Sequence, residues 1–173
     1  MDHTDHVNLI RNGVVDGIWA DFGSGTGAFT LALADLLPAG STIFSIDRDA
    51  NALDQQRRIM RERFPNQNVS YQTADFTAPL NLPPLDGILM ANSLHFIRDK
   101  DAVLKQIHGY LKPDGRLLIV EYNTDHGNTW VPYPFSFATW QKLAAKNGFR
   151  DTRLLAARPS RFLSEIYSAV SRR

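Results

Sequence analysis

A glycine turn set between an apolar run and a helix is the feature that most limits what this chain can become. Gly17-Ile18-Trp19-Ala20-Asp21-Phe22 has the character of a strand, and Gly23-Ser24-Gly25-Thr26-Gly27 follows it directly. Ala28 to Leu37 then continues as a helix, closed by Pro38 and Gly40. Glycines at such a junction let the backbone turn sharply and let a ligand come close to the main chain. The start of the helix presents unpaired N–H groups to whatever lies above it.

The rest of the chain keeps alternating. A short helix is expected around His6 to Asn12, before the first strand. Ser41 to Ile46 and Val69 to Gln72 read as strands, with an amphipathic helix from Asp49 to Phe64 between them, stopped by Pro65. After a loop containing Pro79, Pro83 and Pro84, Leu85 to Ala91 is a near-continuous apolar run, as expected of a strand covered on both faces. Lys100 to Leu111 reads as a helix, Lys112-Pro113-Asp114-Gly115 as a turn and Arg116 to Tyr122 as a fifth strand. Ser136 to Asn147 reads as a helix ended by Gly148. Thr152 to Ala157 and Ser164 to Val170 alternate as two closing strands, expected to pair antiparallel. Strands and helices in this order predict an α/β domain with a largely parallel sheet, residues 1–173 forming one domain.

Composition removes several function classes. The 173 residues are 43% hydrophobic and 21% charged, the balance of a globular domain. A net charge of +1 gives no broad attraction to nucleic acid or to an anionic membrane, so neither partner is expected. With no cysteine there is no disulfide framework, thiolate metal site or cysteine nucleophile. No apolar run approaches the ~20 residues needed to span a bilayer. The polar start, Met1-Asp2-His3-Thr4-Asp5-His6, is unlike a targeting sequence, and a cytoplasmic protein is the expectation. Asp2, His3, Asp5 and His6 have metal-ligating side chains, but at a mobile terminus they read as a solvated tail, and no metal is expected. Arg57, Arg58, Arg61 and Arg63 cluster on the second long helix, and Glu62 four residues after Arg58 suggests a salt-bridged outer face.

The glycines alone leave the ligand open. Followed by Ala28, they also satisfy the dinucleotide pattern, so they do not separate S-adenosylmethionine from NAD. Asp47 closes the second strand about twenty residues on, where a carboxylate can accept from both hydroxyls of a ribose. Arg48 beside it carries a planar guanidinium suited to an adenine face, or to solvent. Three features favour the sulfonium ligand. Asp21, two residues before the first glycine, suits the ammonium of a methionine moiety and would repel a pyrophosphate. Ala74-Asp75-Phe76 follows the third strand, where an aspartate can accept from an adenine amino group. The turn at Lys112 to Gly115 leads sharply into a late strand.

Taken together these segments resemble class I (Rossmann-like) S-adenosylmethionine-dependent methyltransferases of the small-molecule type, from about Trp19 to the C-terminus. Asp21 to Gly27, with Gly23, Ser24, Gly25 and Gly27, is similar to that family's first motif. Asp47 is similar to its ribose-binding acid, and Ala74-Asp75-Phe76 to its adenine-contacting segment. Asp86 to Phe96, with Asn92 and Ser93, resembles the segment beneath the methionine end of the cofactor. The resemblance implies a doubly wound, seven-stranded, mostly parallel sheet whose last strand is antiparallel. It implies S-adenosyl-L-methionine as cofactor and a small organic methyl acceptor.

Methyl transfer from a sulfonium needs chiefly an acceptor held about 3 Å from the methyl on the line of displacement. A base helps only an acceptor that is protonated in its ground state. His95, Glu121 and Tyr122 are the candidates for that role, with His95 equally readable as packing against the sheet at a helix start. The loop Trp130-Val131-Pro132-Tyr133-Pro134-Phe135, with Phe137 and Trp140, reads either as an acceptor wall or as packing for the next helix. Only twenty residues precede the first motif, so the acceptor pocket is expected from the first helix, this aromatic loop or a second subunit. An NAD(P)-dependent oxidoreductase and a protein that binds S-adenosylmethionine without turnover stand as the alternatives.

Overall fold

Apolar residues at most positions of the central strands decide the architecture. The computed structural model describes residues 1–173. Strands β1 (Trp19–Phe22), β2 (Thr42–Asp47), β3 (Asn68–Thr73), β4 (Leu85–Ala91), β5 (Leu111–Tyr122), β6 (Arg150–Pro159) and β7 (Glu165–Arg172) form a single sheet. Successive side chains of a strand point to opposite faces. Ala20, Phe22, Ile88, Met90, Leu117 and Ile119 enter one core, while Trp19, Leu89, Leu118 and Val120 from the same strands enter another. Burial on both sides requires apolar residues in succession, so both faces of these strands are mostly apolar. Helices α1 (His3–Ile10), α2 (Ala28–Leu36) and α3 (Ala50–Arg63) cover the second core. Helices α4 (Asp101–Tyr110) and α5 (Phe137–Lys146) cover the first. No helix is long and apolar enough to cross a membrane.

The strand order is β3-β2-β1-β4-β5-β7-β6. β1 pairs in parallel with β2 on one side and with β4 on the other. The chain winds outward from β1 in one direction and then in the opposite one, so the loops leaving β1 and β4 diverge and open a crevice at their carboxyl ends. β7 lies between β5 and β6 and is antiparallel to both. The expected doubly wound seven-stranded sheet with an antiparallel last strand is the one that forms.

Local expectations fare less well. The first helix runs His3–Ile10 rather than from His6 to Asn12, and the N-terminus is no mobile tail. The Asp2 carboxylate accepts the Asp5 N–H at 2.9 Å and the Asp5 carboxylate accepts the Asp2 N–H at 3.3 Å. This reciprocal cap starts the helix early, while Val7, Leu9 and Ile10 bury against the sheet and Asp5 pairs with Arg158. Lys112 to Gly115 is not a turn preceding a strand but a bulge within one. Leu111 already pairs with Leu85 and Arg116 with Gly87, so the residues between loop out, Asp114 at φ +64°. On α3, Arg58 and Glu62 form no ion pair. Arg57 donates instead to Asp54 at 2.9 Å and lies 4.8 Å over the Tyr71 ring, because Asp54 sits one turn back on the same face.

Candidate active site

The glycine turn owes its shape to positive backbone angles. Gly23, Gly25 and Gly27 have φ of +75°, +53° and +89°, values that residues with side chains rarely adopt. The Gly23 and Ser24 N–H groups donate to the Ile46 carbonyl at 2.9 and 3.1 Å, hooking the turn over the end of β2. Asp47, at that strand end, accepts the Gly25 N–H on Oδ2 at 2.7 Å and the Asp49 N–H on Oδ1 at 2.9 Å. Gly27 begins α2 without any side-chain cap, so the helix start keeps unpaired N–H groups.

Two hollows flank the turn. The larger, about 300 Å³, is bordered by Gly23, Asp47, Arg48, Ala74, Asp75, Phe76, Asn92 and Ser93. The smaller, about 240 Å³, is bordered by Asp21, Gly23, Ser24, Gly25 and Asn92. Every expected cofactor residue except Gly27 therefore borders one hollow or the other. A Cβ at Gly27 would stand 2.3 Å from Gln56, so that glycine lets α3 approach the start of α2.

Some bordering residues were not among the expected cofactor residues. Thr77, Phe96 and Ile97 join the larger hollow, and His6 and Phe29 the smaller. Thr77 donates its hydroxyl and its N–H to Asp75 Oδ1 at 2.7 and 2.8 Å, which holds the Asp75 carboxyl below the usual carboxylate range. The spacing Asp-x-Thr, that of an aspartate turn, was the available clue. His6 and Phe29, with ring centres 4.7 Å apart, meet only because α1 packs on α2.

Asp21 is more deeply placed than its expected role suggests. Only 1% of it is exposed, and it accepts the Thr30 hydroxyl at 2.6 Å. Burial pushes its pKa up to about 7; the Thr30 bond opposes the rise and the nearby Asp47 adds to it.

Neither His95 nor Glu121 borders a hollow. His95 Nδ1 lies 2.6 Å from Glu121 Oε2, and Glu121 Oε1 accepts the N–H groups of Leu94 and His95 at 3.1 and 3.2 Å. Residues Leu94–Phe96 make a single 3₁₀ turn, not the start of a helix. The pair, both members buried, clasps the segment after β4 to the end of β5, and that clasp sets where Asn92 and Ser93 lie. Tyr122 is half-buried, its ring 6.4 Å from that of His95 and 5.7 Å from that of Phe162, while the rings of His95 and Phe96 are 4.3 Å apart. Phe162, Tyr122, His95 and Phe96 thus form a row of rings leading to the larger hollow.

The aromatic loop divides between its two readings. Val131, Phe135 and Trp140 are buried, whereas Trp130 is 74% exposed. Trp130→Ser is expected to change the unfolding free energy by less than about 0.5 kcal/mol in urea titrations, because little packing is lost there.

A sequence model described as a methyltransferase domain matches residues 20–117, from β1 into β5, more than half of the chain and the whole of both hollows' central elements. The chain belongs to this methyltransferase family. The ubiquinone/menaquinone biosynthesis C-methyltransferase of Shewanella frigidimarina is 32% identical over 123 residues, covering 70% of this chain and 48% of that enzyme. The chain spans about half the length, or less, of the curated relatives it matches. Among solved structures, an S-adenosylmethionine-dependent methyltransferase of Methanosarcina mazei aligns with a TM-score of 0.72 at 16% identity, over 95% of this chain and 96% of that one. Magnesium protoporphyrin IX methyltransferase of Synechocystis, solved with S-adenosylmethionine bound, aligns at 0.71 and 18% identity, over 98% of this chain and 76% of that one. At such identities the structural likenesses speak to the fold. They bear out the Rossmann-like methyltransferase architecture, and the cofactor that goes with this family is S-adenosylmethionine.

Proposed function

We propose that this methyltransferase-family chain transfers a methyl group from S-adenosylmethionine to a small organic acceptor. The observation that carries the reading is the pair of hollows meeting at Gly23 and Asn92, bordered by acids and glycines from three strand ends and by Asn92 and Ser93 from a fourth. The residues fit the cofactor. No atom lies within 4 Å of a Cβ built on Gly25, so the turn leaves open space beside its main chain. In the larger hollow Asp47 accepts from the ribose hydroxyls, using lone pairs that its two backbone bonds leave free. Asp75 and Phe76 take the adenine, with Arg48 beside them. In the smaller hollow the uncapped start of α2 receives the carboxylate of the amino-acid end and Asp21 faces its ammonium.

Bound there, S-adenosylmethionine supplies a methyl carbon already activated by a good leaving group. The chain's own task is then to hold the acceptor in line and to keep water away. Phe96, 56% exposed at the edge of the larger hollow, offers an apolar face suited to a flat, ring-bearing acceptor. The C-methyltransferase of quinone biosynthesis named above supports the same class.

Calorimetric titration with S-adenosylmethionine tests the reading. Asp47→Ala is expected to lose about 2–4 kcal/mol of binding free energy, the worth of one or two hydrogen bonds to a charged oxygen. Wild-type protein that binds neither the cofactor nor S-adenosylhomocysteine at saturating concentration would end it.

A further inference from the structure

Three arginines share one hollow at the end of the sheet away from the cofactor cleft. This hollow, about 220 Å³, is bordered by Arg116 of β5, Asp151 and Arg153 of β6, and Val170 and Arg172 of β7. Strand register brings them together. Arg116 stands directly opposite Arg172, and Arg153 stands opposite Val170, two residues before Arg172 and so on the same face of β7. Tyr122 lies six residues further along β5 than Arg116, roughly 20 Å at about 3.3 Å per residue. The arginine hollow is therefore separate from the two hollows at the carboxyl ends of the strands.

Such an arrangement is one that a sheet normally avoids. Like charges directly opposite on neighbouring strands repel, and here a third positive charge joins the pair. The one acid bordering the hollow is Asp151, and its carboxylate is 3.8 Å from the Arg172 guanidinium, outside hydrogen-bond range. Arg116 is half-buried and donates through Nη1 to the Gly13 carbonyl at 2.9 Å, a neutral partner that leaves its charge unanswered. Burial, and then the charges of Arg172 and Arg153, lower the Arg116 pKa from its ordinary value. The neighbouring arginines differ: Arg150 is paired with Asp114, and Arg173 donates to the Leu111 carbonyl. Three guanidiniums against one carboxylate leave the hollow with an excess of two positive charges.

We propose that this hollow binds a phosphate dianion, supplied either as inorganic phosphate or as a small phosphate monoester. A dianion cancels the excess charge, and planar guanidinium forks present paired N–H donors at the spacing of phosphate oxygens. Bound there, the anion turns a repulsion among β5, β6 and β7 into a shared attachment. The site stands apart from the cofactor cleft and does not depend on how that cleft is read.

Calorimetric titration of the full chain with sodium phosphate at constant ionic strength tests the proposal. Wild type is expected to bind one phosphate, with the same affinity whether or not S-adenosylhomocysteine is present. Arg153→Gln, at an exposed position, is expected to bind phosphate roughly ten-fold more weakly or worse, the worth of a hydrogen bond between charged groups. Without phosphate it is expected to melt no lower than wild type, because only a repulsion is lost. Arg63→Gln, the same change of charge on α3, is expected to bind phosphate as wild type does. Glycerol 2-phosphate separates the two sources: binding at least as tight as that of inorganic phosphate assigns the site to a monoester, and weaker binding assigns it to the free anion. The proposal is overturned if millimolar phosphate gives no saturable binding, or if Arg153→Gln binds it as wild type does. Competition by S-adenosylhomocysteine would put the anion in the cofactor cleft, and equal losses in Arg153→Gln and Arg63→Gln would mark unspecific attraction; either overturns it. A lower melting temperature for Arg153→Gln does so as well, since Arg153 would then already have its partner within the fold.

Discussion

Glu121→Ala is expected to cost about 3–5 kcal/mol of folding stability, because it strips the acceptor from three buried donors at roughly 1–3 kcal/mol each. Glu121 is wholly buried and satisfies three donors: His95 Nδ1 and the N–H groups of Leu94 and His95. Truncation leaves all three without a partner in a place water does not reach. It also removes a negative charge that favours the protonated form of the buried Lys100 amine, which donates to the Ile97 and Tyr133 carbonyls at 2.7 and 3.0 Å. Urea unfolding measures the loss. The double variant Glu121→Leu with His95→Phe is expected to cost clearly less than the two single changes added together, since filling the space with apolar groups leaves no orphaned ring nitrogen. Additive losses would mean that the two residues do not act as one unit.

Asp21→Asn is expected to stabilise the ligand-free protein by about 4 kcal/mol at pH 8 and to change little near pH 4. In the fold this carboxyl titrates at about 7, against 3.8 for its ordinary value, chiefly because it is buried. Between those two values the folded chain keeps a proton that the unfolded chain has released. Stability from this group is therefore complete below about pH 4, declines as pH rises through the window and is lowest above pH 7. Asparagine cannot ionise, and it retains an oxygen to accept the Thr30 hydroxyl. Denaturant midpoints of the two proteins across pH 4 to 8 measure the difference, and curves that stay parallel would show that Asp21 is ionised throughout. The same substitution is expected to weaken S-adenosylmethionine binding, because the buried charge becomes favourable only opposite an ammonium. The stability gained and the affinity lost arise from one carboxylate.

Both effects bear on how much of the molecule was legible in the residues themselves. The signals that worked were local. Closely spaced glycines let a strand turn sharply into a helix, and Leu85 to Ala91, apolar but for Asp86 and Gly87, has the character of a doubly covered strand. Asp47 and Asp75 could be placed at strand ends because each lies at or just past the close of a strand-forming run. The signals that failed depended on partners far away in sequence. Asp2 reads as a solvated acid until Asp5 is seen to return its hydrogen bond and Val7 to pack beneath. The strand β5 begins at Leu111 only because Leu85, twenty-six residues earlier, is there to pair with it.

The candidate bases show the division most clearly. His95 and Glu121 were named as chemistry-bearing residues, and their types do allow that chemistry, but burial and mutual hydrogen bonding turn them into a clasp. What the sequence by itself determined is the order of strands and helices, the glycine turn and the acids at strand ends, because periodicity, backbone freedom and charge are properties of short segments. Only the tertiary structure decided which polar groups are spent on each other and which are left facing the cleft, because a hydrogen bond across the sheet depends on two residues whose separation in sequence carries no mark of their meeting.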